Sequence, residues 1–421
     1  MQQMEVPMGA TYQTPLTASA ISGVPQPDAT ADAFHQLLEA ARAAGPLVRE
    51  HAAQAEHERR VPRAVHDALT AAGLQRMLTP RSLGGFELDP VSCARIVEEV
   101  ATFDSAAAWS LQSANVNAWW AARMPEEGVD EIYGRNANAM VAAAFHPPQQ
   151  AVEVPGGFRV TGRAPFASTI HDCDWALFGA IIMDDGKPRM TEFGPAMIAV
   201  ILRTSELEIL DTWYTLGMRG TDSNDVAFKD VFVPVSRMFA LAPSFEPGRH
   251  FKGPLYRFPA AGIIAIFSAA VVMASARNAI TEFREIAQKK TPFGSMKTLR
   301  DRGSVQSGLA EAEATLRSAR AFLYEALTDT WARTAAGVPN TLEHRADLLV
   351  ATINAAQSSA RVTDTIHRLA GTTGIYEKSP LDRYFRDTHT LRHHGFVAEN
   401  KLESVGQIYL GLEPDFPLIV F

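Results

Sequence analysis

A chain of 421 residues with 47% hydrophobic and 20% charged residues has the balance of a globular enzyme, long enough for two or three units sharing large cores. Its net charge of −8 lacks the basic excess that a nucleic-acid partner requires. The two cysteines, Cys93 and Cys173, make neither a disulfide framework nor a zinc-ligand spacing, so no metal site and a reducing, cytoplasmic setting are expected.

Residues 1–30 are rich in Thr, Pro, Gly, Ser and Ala, with no basic start and no long apolar run. They read as a flexible tail rather than a signal peptide. An N-terminal helical domain is expected over residues 31–139. Phe34, Leu37, Leu38 and Ala41 recur at amphipathic spacing, and Pro62 opens a second helix carrying Val65 and Leu69 before Gly73. Asp89-Pro90 and Asp104-Ser105 mark two further starts, and the last of these helices carries Trp109, Trp119 and Trp120.

The texture changes near Met140. Short β-type runs, such as Gly157–Thr161, Trp175–Met183, Ala196–Leu202 and Val226–Val233, alternate with Gly, Pro and Asp turns. A β-domain over residues 140–250 follows. From 251 to 421 long helices are expected at 259–288, 303–335, 341–370 and 380–411, a bundle of four. Phe258 to Ala276 runs without a charge, near membrane-spanning length, but its many Ala, Gly and Ser residues suit a central helix packed by others. No membrane association is expected.

Near the C-terminus His389, His393 and His394 fall on what reads as the fourth bundle helix, behind the pair Arg386-Asp387. Imidazole is the side chain best suited to moving a proton near neutral pH.

The order of helices, β-domain and four-helix bundle resembles the acyl-CoA dehydrogenase superfamily over residues 32–411. Several segments carry the resemblance in order. They are Pro62 through Gly84-Gly85, Gly156-Gly157-Phe158 through Ser168, and Leu216-Gly217 through Pro234. Lys289–Gly294, Gly371–Gly374 and Arg386-Asp387 complete the set. The implied fold is mainly α with a central, barrel-like β-domain.

The superfamily holds dehydrogenases of acyl-CoA thioesters and oxygenases that accept reduced flavin. In many dehydrogenases a catalytic glutamate lies nine residues after the Arg of the Arg-Asp pair. Here that position is Gly395, and the second known location, residues 257–268, contains no acid. The chain instead resembles the group D two-component flavin-dependent monooxygenases, which carry a histidine eight residues after that Arg, here His394, and a serine matching Ser168. Thr169 departs from the pattern, where glycine is common.

The resemblance implies reduced FMN or FAD and O2 as reactants, acting through a C4a-(hydro)peroxyflavin on a small apolar substrate, aromatic or heteroatom-bearing. No nucleotide-binding glycine fingerprint is present. A separate NAD(P)H-dependent flavin reductase is therefore implied, as is a homotetramer. His394 and Ser168 are the implied catalytic residues, with His393 as the alternative imidazole. Phe166, Ala167, Ser168, Trp213, Lys290, Phe293, Gly371 and Thr372 are implied at the flavin, with Trp119, Phe145 and His146 at the substrate. A dehydrogenase-like FAD enzyme with a relocated base is the alternative.

Overall fold

The computed structural model describes residues 28–192, 194–242 and 245–420. The tail expected over residues 1–30 lies outside the described residues as far as 27. Helix α1 (Asp28–Glu58) begins directly after it, followed by α2 (Arg63–Ala71), α3 (Pro90–Ala101), α4 (Ser105–Trp120) and α5 (Glu126–Ile132). Local chemistry sets the boundaries. The Asp89 carboxylate accepts the Ser92 N–H at 2.9 Å and the Asp104 carboxylate accepts the Ala107 N–H at 2.8 Å, so α3 and α4 start on capped turns.

Strands β1 (Val141–Val154), β2 (Gly157–Ala167), β3 (Trp175–Asp184), β4 (Lys187–Pro188), β5 (Met190–Thr191) and β6 (Gly194–Pro195) come next. They are followed by β7 (Met197–Arg203), β8 (Glu208–Leu210), β9 (Asn224–Pro234) and β10 (Met238–Ala240). The main sheet runs β10-β7-β3-β1-β2-β9-β8, with β1 parallel to β3 and antiparallel to β2. Phe158, Val160, Phe178, Val200 and Phe228 form its own core.

The C-terminal unit contains α6 (Ala260–Lys289), α7 (Gly303–Ala335), α8 (Leu342–Ala370), α9 (Pro380–Leu391) and α10 (Leu402–Tyr409). Helix α6 is long and apolar enough to cross a membrane, but 89% of its apolar window is buried inside the protein. It packs against α3, α4, α7, α8 and α9, and its core joins that of the N-terminal helices. Burial of Ile263, Ile266, Phe267 and Val271, worth roughly 1.5–3 kcal/mol per large side chain, holds the two helical units together.

The continuous helix expected over 380–411 is not found. Helix α9 stops at Leu391, and α10 restarts at Leu402. His393 and His394 lie in turns beyond the helix end, where the His394 N–H reaches back to the Leu391 carbonyl at 2.9 Å. Gly395 weakens any helix through this point, and leaving the helical path lets His394 pack on Trp109 of α4.

Candidate active site

Where the N-terminal helices, the sheet and the chain after α9 meet, they enclose a cavity of about 920 Å³. Helix α4 supplies one wall through Trp109, Gln112, Ser113, Val116, Asn117 and Trp120, positions that three- and four-residue steps gather on one face. Phe145 and His146 come from β1, Phe166 and Ser168 from the end of β2, and Trp213, Met218, Thr221 and Ser223 from the β8–β9 connection. Beyond α9, His393, His394 and Phe396 complete the wall. No Asp, Glu, Lys or Arg is among the described residues that line it.

The end of β2 reverses through two residues in the left-handed region, Phe166 at φ 64° and Thr169 at φ 62°. A threonine is strained there, which accounts for a glycine preference at this position. The strain is offset by tertiary bonds: the Thr169 N–H donates to the Thr221 carbonyl at 2.9 Å and its Oγ1 to Ser110 Oγ at 3.0 Å. The reversal turns Ala167 into the sheet core while Phe166 and Ser168 face the cavity.

Ser168 belongs to a directional hydrogen-bond chain. Thr221 Oγ1 donates to the Met218 carbonyl at 2.8 Å, so it must accept from Ser223 Oγ at 2.7 Å. Ser223 then accepts from Ser168 Oγ at 2.7 Å, and Ser168 accepts the Trp109 Nε1–H at 3.0 Å. A hydroxyl has one proton and two acceptor sites. Ser168 has therefore committed its proton and keeps one lone pair for a ligand.

Met218 sits in a segment clamped by α9. The Asp387 carboxylate accepts the Met218 N–H at 2.6 Å, and Arg386 donates to the Leu216 carbonyl at 2.8 Å and to Glu56 at 2.6 Å. Gly217 lies so close against the Arg386 backbone that a Cβ would collide with it. Burial pushes the Asp387 carboxyl up to about 7, with the Met218 N–H and Arg383 opposing that rise. Trp213 is oriented by Asn224, whose Oδ1 accepts the Thr212 and Trp213 N–H groups at 2.9 Å each.

His394 meets Trp109 edge-on with centroids 5.0 Å apart, and Phe396 lies nearly parallel to it at 5.9 Å. Its Nδ1 has no hydrogen-bond partner. Burial lowers its pKa to about 4, so the ring is neutral at pH 7. A neutral imidazole with an unpartnered nitrogen, lining the same largely apolar cavity as the hydroxyl chain, can hold or return one proton.

Two family models match: "Acyl-CoA dehydrogenase, N-terminal domain" over residues 33–126 and "Acyl-CoA dehydrogenase, C-terminal domain" over residues 266–399. The chain is 30% identical to an indole-3-acetate monooxygenase of Pseudomonas putida, across 92% of this chain and 95% of that protein. It is 26% identical to the oxygenase component of an FADH2-dependent resorcinol hydroxylase of Rhizobium sp., across 94% and 98%. The solved structure of XiaF from Streptomyces sp. with FADH2 and glycerol superposes with a TM-score of 0.86 at 26% identity, covering 92% of this chain and 98% of that one.

The chain belongs to the acyl-CoA dehydrogenase superfamily. Its relatives there are flavin-dependent monooxygenases, and it is an oxidoreductase of that kind. The cavity brings together His394, Ser168, Phe166, Trp213, Phe145 and His146 of the residues expected from sequence. Phe166 is 63% exposed and stands perpendicular to Trp213 at 6.1 Å, a face open to a planar ring. A buried unpartnered imidazole, a hydroxyl with a spare lone pair and this aromatic pair fit an isoalloxazine.

Six expected residues lie elsewhere, Ala167 in the sheet core among them. Lys290 and Phe293 follow the end of α6, and Gly371 and Thr372 follow the end of α8; none lines the cavity of its own chain. Lys290 Nζ donates to the Ala370 carbonyl at 2.6 Å and to Thr373 Oγ1 at 2.7 Å. Trp119 does not reach the cavity either: it is fully buried, with its Nε1 donating to the Leu255 carbonyl at 2.9 Å. Adjacent helical residues point about 100° apart, so Trp120 takes the cavity face instead. Gln112, Ser223 and Thr221 were not singled out from sequence. The eleven-residue step from Trp109 to Trp120, close to three turns, was the available signal for α4.

Proposed function

We infer that this chain is the oxygenase component of a two-component system that receives reduced flavin from a separate NAD(P)H-dependent reductase and oxygenates an aromatic substrate. The observation that carries this reading is the cavity itself, which holds a neutral imidazole with a free Nδ1 and no carboxylate. Removing a proton next to a thioester requires a base, and Asp387, the acid of the Arg-Asp pair, does not line the cavity and accepts the Met218 N–H through Oδ1. The dehydrogenase alternative therefore lacks its central group.

Reduced flavin, when bound, supplies the electrons that activate O2. Trp213 and Phe166 would hold the isoalloxazine, and the free lone pair of Ser168 suits the N–H that only the reduced ring carries. His394 Nδ1, unpartnered in the structure, would keep or return a proton, and the apolar walls of Trp109, Val116, Phe145 and Phe396 would keep water from competing. Lys290, Phe293, Gly371 and Thr372 are assigned to a neighbouring protomer's flavin in a homotetramer. Their position outside the chain's own cavity and the complete exposure of Phe293 support that assignment. FADH2, named for two relatives, is the first cofactor to test, ahead of FMNH2.

The test is anaerobic loading with photoreduced FAD, then mixing with O2 and an aromatic substrate while flavin reoxidation, product and hydrogen peroxide are followed. Product formed without any NADH supports the reading. Failure to bind reduced flavin, or bleaching of bound oxidised FAD by an acyl-CoA in the absence of O2, refutes it.

A further inference from the structure

The α4 wall of the cavity carries polar atoms that the protein leaves unused. Gln112 and Trp120 are only 3% and 4% exposed, yet Gln112 Oε1 and Trp120 Nε1 have no hydrogen-bond partner. The other end of the Gln112 amide is engaged, its Nε2 donating to Ser113 Oγ at 3.1 Å, so the oxygen is the free end. Thr390 Oγ1, contributed by α9, is likewise buried and unpartnered. An unsatisfied buried donor or acceptor costs about 1–3 kcal/mol. Two such atoms two turns apart on one helix face are a recognition pattern, with Gln112 asking for a donor and Trp120 for an acceptor.

Charge is missing from the same surface. His394 stays neutral above about pH 4, and His389, which also lines the cavity, is already paired with Asp364 at 3.0 Å. His146 and His393 lie at exposed positions. Arg123 stacks on Trp120 at 4.6 Å and on Phe245 at 3.9 Å but does not itself line the cavity. A carboxylate brought here would lose its hydration with no Lys or Arg among the described lining residues to replace it, a cost of several kcal/mol.

We propose that the substrate is an uncharged aromatic molecule bearing one hydrogen-bond donor and one acceptor, read by Gln112 Oε1 and Trp120 Nε1, and that carboxylate-bearing analogues of the same shape are rejected. This rests on the assignment of the cavity as the substrate site, and it is tested by binding, which does not require turnover. Indole-3-acetamide and indole-3-acetate share the ring and nearly the same shape, but at pH 7.5 the amide side chain is neutral and carries N–H donors, while the acetate side chain is an acceptor-only anion. Titrated calorimetrically into the full-length protein at pH 7.5, the amide is expected to bind at least tenfold more tightly. Gln112→Leu is expected to raise the Kd of the amide about tenfold while the Kd of naphthalene, which has no polar atom, moves less than twofold.

Equal or tighter binding of the acetate overturns the proposal, and so does failure of both indoles to bind at millimolar concentration. An unchanged amide Kd in Gln112→Leu overturns the role of that residue. So does a Gln112→Leu loss confined to flavin affinity, measured in parallel, which would assign Gln112 to the cofactor. The comparison of the two indoles needs only the unaltered protein, so a poorly folding variant leaves it intact. A monooxygenase reading that fails in the reduced-flavin test leaves the binding preference standing or falling by itself.

Discussion

Replacing His394 with glutamine separates the burial of the imidazole from every other acid-sensitive group. In the unfolded chain the ring takes up its proton near 6.5. In the folded protein burial delays protonation to about 4. Between those values the unfolded state binds more protons, so folding stability falls as the pH drops through this window, and above 6.5 the effect vanishes. The resulting penalty is about 2 kcal/mol at pH 5 and about 3 kcal/mol at pH 4. Glutamine is of similar size and does not titrate, so its variant escapes the penalty. Urea unfolding of both proteins at pH 7.5, 6, 5 and 4.5, followed by tryptophan fluorescence, gives the difference at each pH. Contributions from Asp387 and from the buried His66 are common to both proteins and cancel. The expected outcome is a gap that is constant above pH 6.5 and narrows by about 2 kcal/mol at pH 5. Parallel stability curves would refute the claim that His394 is held neutral by burial. For the same reason the pH dependence of turnover in the unaltered protein should show no limb near 6.5 that disappears in His394→Gln.

Ser168→Ala removes the acceptor of Trp109 Nε1 and the donor to Ser223, so a loss of about 1–3 kcal/mol in chemical denaturation is expected. Its Kd for reduced flavin should rise about tenfold, roughly one hydrogen bond, while oxidised flavin is little affected; equal losses for both forms would remove the serine from ring recognition. Asp387→Asn keeps an oxygen for the Met218 N–H but abolishes a carboxyl whose pKa is raised to about 7. A raised acid pKa stabilises the fold at low pH and loses that stabilisation as pH climbs through about 7, so the variant's melting temperature should gain on the unaltered protein between pH 4 and 8. An unchanged difference across that range would refute the assignment. Trp119→Phe strands the Leu255 carbonyl and should cost about 1–3 kcal/mol of stability, with substrate KM within twofold of the original. A KM effect without a stability loss would place Trp119 back in the cavity.

The architecture was legible because its parts are locally self-consistent. Asp89 and Asp104 announce helices they cap, the uncharged run around α6 is one that only a packed helix core can hide, and the alternating runs after Met140 become the sheet. The site was legible only where chemistry coincided with a family motif, as at Ser168 and His394. The break after Leu391 has no proline to announce it; the contact of His394 with Trp109, made across the molecule, is what the turn permits. Trp119 and Trp120 are alike in composition and differ only in helical phase. The hydroxyl chain depends on the register that sets Ser223 of the β8–β9 connection beside Ser168 at the end of β2, which no local pattern encodes.

Helix α4 explains why the cavity holds its shape without charged residues. It is buried nearly all round and joined to each unit by a polar contact. Ser105 Oγ meets Ser275 Oγ of α6 at 2.7 Å, Trp109 Nε1 bonds Ser168 after β2, and Asn117 Nδ2 donates to the Val141 carbonyl of β1 at 2.6 Å. Three rigid neighbours thus fix both the rotation and the height of the helix. Groups carried on helices and strands hold catalytic geometry better than groups on loops. His394, which like Ser168 lies outside helix and strand, is pinned by an edge-on contact with Trp109 and by stacking on Phe396 rather than by a hydrogen bond at Nδ1. That arrangement places the ring while leaving Nδ1 free, which a hydrogen-bonded anchor at that nitrogen would prevent.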